Sequence, residues 1–365
     1  MSSEVSLVGV LLSIVASVAP TFLYVLVVWW IDRYEKEPLK LLIATFLWGA
    51  LPAVFVAILL ESIGDEAVAV VAGVRNQTFS ASFIAPPVEE VAKALSLVAI
   101  YYLAREEFDG VLDGIIYGSL VGFGFAATEN LLFYLGVWQK GSFMDWGGVV
   151  LGRAFVFGLN HAMFTSLTGV GLGLTLPQRT GRRRRIFALL GLSAAVAVHF
   201  LHNFFLSVES LCFVSLAADW LGVLVIGAIV ALAWRREKSR LQVQLADEVK
   251  EGVVTQAQYE VILSRGERLR REWALAGQSG LAQMRLWRRL IKVATELAFA
   301  KHRQAQRGEQ QARSAYIAGL RAKIVQIRRE LGEPIAADSR ICLHCGHLSS
   351  RKEAEVCPHC GASWS

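Results

Sequence analysis

The chain has 365 residues, 54% of them hydrophobic, and a formal net charge of +6. A mean hydropathy of +0.45 is too apolar for a soluble protein of this size and points to a polytopic membrane protein. Four of the five cysteines fall in one C-terminal cluster, and nothing suggests a disulfide framework.

A membrane-spanning helix needs ~20 apolar residues. The sequence predicts an all-α fold with about seven such helices, at roughly 5–30, 39–60, 83–104, 111–137, 147–176, 186–207 and 211–234. The fifth is long enough that a tilt or break is expected. Residues 61–80 are mixed in character and read as a loop with a short surface helix. No cleavable signal peptide is evident, because the first apolar run lacks a basic leader and is long enough to span and stay. Hydrophobicity stops near Trp234. Residues 1–234 carry 13 Lys and Arg against 17 Asp and Glu, a net of −4, while residues 235–365 carry 24 against 14, a net of +10. Three divisions follow: an apolar core at 1–234, a basic helical region at 235–335 and a cysteine module at 338–365.

Basic residues in the loops set orientation. Arg33, Lys36 and Lys40 follow the first span, Arg179 and Arg182 to Arg185 the fifth, and Arg235, Arg236, Lys238 and Arg240 the seventh. All three groups share one side if the N-terminus is outside and the tail cytoplasmic. The arginine run sits in a short loop between spans, so topology and anionic headgroups explain it better than nucleic acid. In the tail, Thr255 and Gln258 have capping-box spacing. Trp287, Leu290, Ile291 and Ala294 recur at helical intervals among basic residues, which reads as a small helical hairpin or a membrane-surface helix.

The third span contains Glu89, Glu90 and Lys93. Ionisable groups inside a membrane are costly and mark functional sites by default. Glu129, His161, His199 and Asn203 lie in three further spans. At about 1.5 Å per residue, Glu89 falls ~9 Å and Glu129 ~12 Å below the outer surface, with His199 similar, Asn203 one turn shallower and His161 deeper at ~20 Å. Singly, each has a structural reading as a helix-packing hydrogen bond or an internal ion pair. At matched depth they favour a site. Gly114, Gly118 and Gly122, with Gly124, let another helix approach closely. Pro86 and Pro87 fit a third span that starts late.

These residues resemble a known family. Glu89-Glu90-x-x-Lys93, Asp113-Gly-Ile-Ile-Tyr-Gly118, Gly124-Phe125-Ala-Ala-Thr-Glu129-Asn130, His161-x-x-x-Thr165 and His199-x-x-x-Asn203 look like the PrsW intramembrane proteases, as does the loop Asp32-Arg-Tyr-Glu-Lys-Glu-Pro38. That group is similar in fold to the CAAX-processing endopeptidases and to a scaffold subunit of gamma-secretase. The resemblance covers roughly residues 1–234 and implies hydrolysis of peptide bonds in or beside the membrane. One family member cleaves an anti-sigma factor, so regulated proteolysis of a membrane protein is the expected setting, in a bacterial plasma membrane.

Two mechanisms suit these residues. Glu89 can act as a general base on water with help from His161, while His199 and Asn203 stabilise the oxyanion, as similar residues are thought to do in the CAAX enzymes. Alternatively His161, His199 and a carboxylate bind a catalytic zinc in the membrane core. The absence of an HExxH helix favours the first. Rival functions are a non-catalytic scaffold or sensor on the same fold, and a proton-coupled transporter, which the lack of an inverted repeat disfavours.

Cys342, Cys345, Cys357 and Cys360 form two CxxC knuckles separated by eleven residues. Four thiolates at that spacing can close a structural zinc site, and the module resembles a zinc ribbon. His344 and His359 lie between ligands and read as non-ligands. Cys212, alone in an apolar stretch, reads as a small buried hydrophobe. The expected partners are a membrane-protein or peptide substrate, anionic lipid headgroups and a cytoplasmic protein bound by the tail; nucleic acid is not expected.

Overall fold

The computed structural model describes residues 6–34, 36–74, 76–307, 311–333, 340–342, 348–349, 356–357 and 361–363. Among them, six helices are long and apolar enough to cross a membrane: Leu7–Ile31, Leu39–Val71, Val111–Lys140, Phe143–Thr175, Gly181–Leu206 and Glu209–Lys250. The remaining predicted span is the helix Ala85–Leu103, which is shorter and carries Glu89, Glu90 and Lys93. The protein is a predominantly helical polytopic membrane protein. Contacts divide it into two units, one of residues 1–32 and 36–233, the other of residues 33–35 and 234–365.

In the first unit, α1 (Leu7–Ile31) opens on Ser6, whose hydroxyl accepts the Gly9 N–H and caps the first turn. Ser13, Ser17 and Thr21 recur every four residues and form its buried stripe, so their small side chains let α1 lie close to its neighbour. The large apolar side chains of α1, such as Leu11, Phe22 and Leu26, face outward, where lipid is the solvent.

Helix α2 (Leu39–Trp48) passes through a π turn at Gly49–Ala53, which contains Pro52, into α3 (Val54–Ala72). Residues 61–72 are therefore helical rather than the expected loop. Glu61 and Asp65, one turn apart on α3, both line a cavity. The chain turns at Gly73 in the left-handed conformation (φ 69°). A single turn α4 (Gln77–Phe79) and a second π turn, Ser80–Ile84, lead into α5 (Ala85–Leu103). Pro86 and Pro87 stand at the start of α5, directly after the π turn.

Helix α6 (Val111–Lys140) is the centre of the unit and is buried along most of its length. Its glycines contact neighbouring backbones directly. A Cβ at Gly118 would lie 2.8 Å from Thr165 O, and one at Gly114 or Gly122 would overlap the carbonyls of Gly169 or His161. Gly124 faces the opposite way, onto Phe46. The glycine stripe thus seats α8 (Asn160–Thr175) against one face of α6.

The fifth predicted span is indeed interrupted. After α7 (Phe143–Val150), which is held by a Ser142–Asp145 capping box, it becomes a π turn at Leu151–Val156 and restarts as α8. Helices α9 (Gly181–Leu206) and α10 (Cys212–Lys250) complete the helices of this unit. Loop and core are tied together: Glu37 N–H donates to Asp32 Oδ2 (2.8 Å) and the Tyr117 hydroxyl donates to Glu37. Burial, reinforced by Asp113, pushes the Glu37 carboxyl up to about 11, so it keeps its proton at neutral pH.

The second unit holds the remainder of α10 and α11 (Gln256–Leu263), α12 (Arg265–Gln278), α13 (Gly280–Arg307) and α14 (Gln311–Glu330). Thr255 and Gln258 form the capping box. Trp287, Leu290, Ile291 and Ala294 are buried with Leu241, Ile262 and Ile324 in a core of the unit's own. That is more than a hairpin: enough apolar surface is buried to hold a small bundle. Glu248 is fully buried between Lys301 and Arg321, each 2.7 Å away. Beyond the bundle, strands β1 (Arg340–Ile341) and β2 (Leu348–Ser349) pair antiparallel, Ile341 opposite Leu348. Cys342 and Cys357 are buried. The other two predicted zinc ligands, Cys345 and Cys360, lie outside the described residues, as do His344 and His359.

Candidate active site

The sequence places Glu89 and Glu90 one after the other near the start of α5. Successive helical residues are about 100° apart, so the two carboxylates must enter different surroundings. Glu90 is 0% exposed and saturated: Oε1 accepts from Lys93 Nζ (2.9 Å) and meets His199 Nδ1 (3.1 Å), while Oε2 accepts from Thr165 Oγ1 (3.1 Å). Glu89 is 6% exposed and lines a cavity of about 660 Å³ shared with Glu61, Glu129, Arg153, His202 and Asn203.

Lys93 completes the turn. Its ammonium donates to Glu89 Oε2 (2.9 Å) and Glu90 Oε1 (2.9 Å), lies 3.1 Å from His161 Nδ1, and rests 3.8 Å above the Phe125 ring. An ammonium donates and never accepts, so His161 Nδ1 is the acceptor and the ring proton is on Nε2. That nitrogen is 2.8 Å from Glu129 Oε2, which also lies 2.8 Å from Arg153 Nη2. A continuous polar chain therefore runs from α5 through α8 to α6. His199 is 2% exposed and stacks on Phe164, with centroids 4.6 Å apart. Its Nδ1 faces Glu90, which leaves Nε2 directed at Glu89 Oε2, 4.0 Å away.

The structure brings together Glu89, Glu90, Glu129, His161 and His199. Asn203 stands one turn along α9 from His199 at the cavity wall, and its Nδ2 donates to Ala81 O (2.7 Å) in the π turn before α5. His161, expected deeper than the others, is level with them. The interruption after Val156 is the reason: it makes His161 the second residue of a restarted helix rather than the middle of an unbroken one.

Three participants were not singled out from sequence. Arg153, in the third π turn, also accepts nothing and donates from Nε to Asn130 Oδ1 (2.7 Å). His202 Nδ1 lies 2.7 Å from Asp219 Oδ2, and Asp219 is 2% exposed. Arg153, His202 and Asp219 each stand in an apolar stretch, and that is the signal by which the sequence marks them.

Glu89, Glu90, His161 and His199 each offer one donor atom, and these four atoms lie within 4.8 Å of one another. By type, two carboxylates and two imidazoles would suit a divalent ion. The arrangement does not fit one, because Lys93 Nζ stands within hydrogen-bond distance of three of the four residues and supplies the positive charge itself.

Carboxylates, an ammonium and imidazoles brought together among apolar helices, beside a cavity that Glu89 lines, mark a functional site within the membrane. Residues 37–234 match the family model described as PrsW family intramembrane metalloprotease. A protein named Protease PrsW from Clostridioides difficile is 28% identical over 211 residues, covering 58% of this chain and 82% of the relative. Those of the same name from Geobacillus kaustophilus and Bacillus subtilis are 31% and 27% identical over 147 and 145 residues. Each of these two matches spans 39% of this chain, and they cover 57% and 59% of the relatives, less than two thirds of their length. No solved structure matches. The chain belongs to the PrsW family of intramembrane proteases.

Proposed function

We propose that this protein is an endopeptidase that hydrolyses peptide bonds of membrane-associated proteins, in regulated proteolysis, with Glu89 activating the water. The observation that carries the assignment is the contrast within the pair: Glu89 reaches the cavity and Glu90 is sealed with both oxygens bonded. A water between Glu89 and His199 Nε2 bridges a 4.0 Å gap too long for a direct hydrogen bond. Glu89 takes a proton from that water as its oxygen attacks the scissile carbonyl carbon. The second N–H of Asn203 stabilises the oxyanion. As the C–N bond breaks, Glu89 returns the proton to the leaving nitrogen, giving a carboxylic acid and an amine, between which the acid's proton then passes to leave a carboxylate and an ammonium. Glu90 holds His199 and Lys93 in place, and His161 with Glu129 fixes the far side of the cluster. The basic loops support an outside N-terminus and a cytoplasmic tail.

New protein termini in membranes from cells carrying wild type or Glu89→Gln at matched levels test this reading. Membrane-protein fragments seen only with wild type are expected and name the substrate. Identical fragment sets would sink the assignment and favour a scaffold.

The C-terminal module is proposed to hold a structural zinc on Cys342, Cys345, Cys357 and Cys360. Buried Cys342 and Cys357, the β1–β2 hairpin and Gly361 in the left-handed conformation (φ 72°) support it. One tightly held zinc is expected in the wild-type chain and none on the thiolates of Cys342→Ser, read by metal analysis of the purified proteins.

A further inference from the structure

The family's description names a metalloprotease, yet the position where a metal would sit already holds a cation. Lys93 is 0% exposed, and its three N–H groups meet three acceptors: Glu89 Oε2 at 2.9 Å, Glu90 Oε1 at 2.9 Å and His161 Nδ1 at 3.1 Å. The Phe125 face, 3.8 Å below, closes the remaining direction. A zinc ion bound by the same donors would stand about 2.0–2.2 Å from each. With the four donor atoms within 4.8 Å of one another, that point lies too close to Nζ for both cations to be present in a low-dielectric interior.

We propose that Lys93 is the resident cation of this site: its ammonium excludes a divalent metal, so the Glu89, Glu90, His161 and His199 cluster stays metal-free in the wild-type chain. The lysine takes the place a metal takes elsewhere: its single charge is shared between two carboxylates and its N–H fixes the imidazole's tautomer. It does so from a tether three and four residues away on the same helix, which no exchangeable ion can match for permanence. Removing the ammonium leaves two buried carboxylates unneutralised beside two imidazole nitrogens, the donor set of a divalent site. The inference rests on the geometry of the cluster and does not require the reaction proposed above.

Cobalt(II) titration of the full-length chain in detergent, followed by visible and near-ultraviolet absorption, separates the two metal sites. Cobalt on the tail thiolates gives intense sulfur-to-metal charge transfer, whereas cobalt on carboxylates and imidazoles gives d–d bands without it. In wild type, uptake with the thiolate signature alone is expected. In Lys93→Met, an additional equivalent with d–d bands only is expected, together with a cobalt-dependent rise in thermal midpoint that wild type lacks beyond its tail site. A d–d equivalent in wild type that is lost in Glu89→Gln would overturn the proposal, as would a folded Lys93→Met that takes up none. If Lys93→Met does not fold, the wild-type titration decides alone, its lack of that equivalent supporting exclusion and its presence refuting it. Failure of the protease reading would appear only in the terminus comparison, so the two outcomes remain distinct.

Discussion

Glu89→Gln and Glu90→Gln fail in different ways. Replacing Glu89 removes the carboxylate that borders the cavity and keeps a side chain of the same shape. Cleavage should fall by ~10²–10⁴-fold, the usual worth of a positioned general base, while the protein stays folded. Glu90 is bonded on both oxygens to Lys93, His199 and Thr165 and is wholly buried. Its loss leaves Lys93 with Glu89 as its one carboxylate partner and takes an acceptor from both His199 and Thr165, so the cost lies at or below the ~3–5 kcal/mol of a fully broken buried pair. The Glu90→Gln chain should therefore lose thermal stability in detergent first and activity as a consequence. Measuring both variants for melting and for cleavage of a substrate identified from cell membranes checks the contrast. Equal activity loss with unchanged melting in both would mean that the two carboxylates share the chemistry.

Gly122→Val should unfold or inactivate the protein although no reacting group is touched. A Cβ at residue 122 overlaps the His161 carbonyl and lies 2.6 Å from Ala162 Cα, so α8 must move away from α6. Backbone cannot yield as a flexible side chain does. The cost belongs at or above the top of the ~1–3 kcal/mol range for overpacking, and the movement draws His161 from Lys93 and Glu129. Gly136, farther along the same helix, has nothing within 4 Å of an added Cβ. Gly136→Ala should leave stability within about 1 kcal/mol. Thermal melts of the two variants, with cleavage measured on whatever remains folded, decide it. A wild-type melt for Gly122→Val would show that α8 is not seated on the glycine stripe.

The sequence alone determined that the chain is a polytopic membrane protein, and composition sufficed for that because lipid tolerates only apolar spans. It also singled out Glu89, Glu90, Glu129, His161, His199 and Asn203 as candidates, since a polar or ionisable residue in such a span is conspicuous. It identified the glycine stripe and the late start of α5. Arg153, His202 and Asp219 carried the same signal and were passed over. Tertiary structure alone decided which glutamate faces the cavity, because helical period fixes the angle between neighbours but not the rotation of the helix against its partners. It decided that residues 61–72 are helix and that Glu61 and Asp65 on it line the cavity, a placement that depends on neighbours distant in sequence. It decided that His161 meets Lys93, because the break before α8 depends on packing against α6. Above all it decided what fills the centre of the cluster. Glu-Glu-x-x-Lys is a local pattern compatible with an i, i+3 ion pair or a metal site. Only tertiary packing places the Lys93 ammonium against Glu89 and Glu90 of α5, His161 of α8 and the Phe125 ring of α6, with His199 of α9 on Glu90.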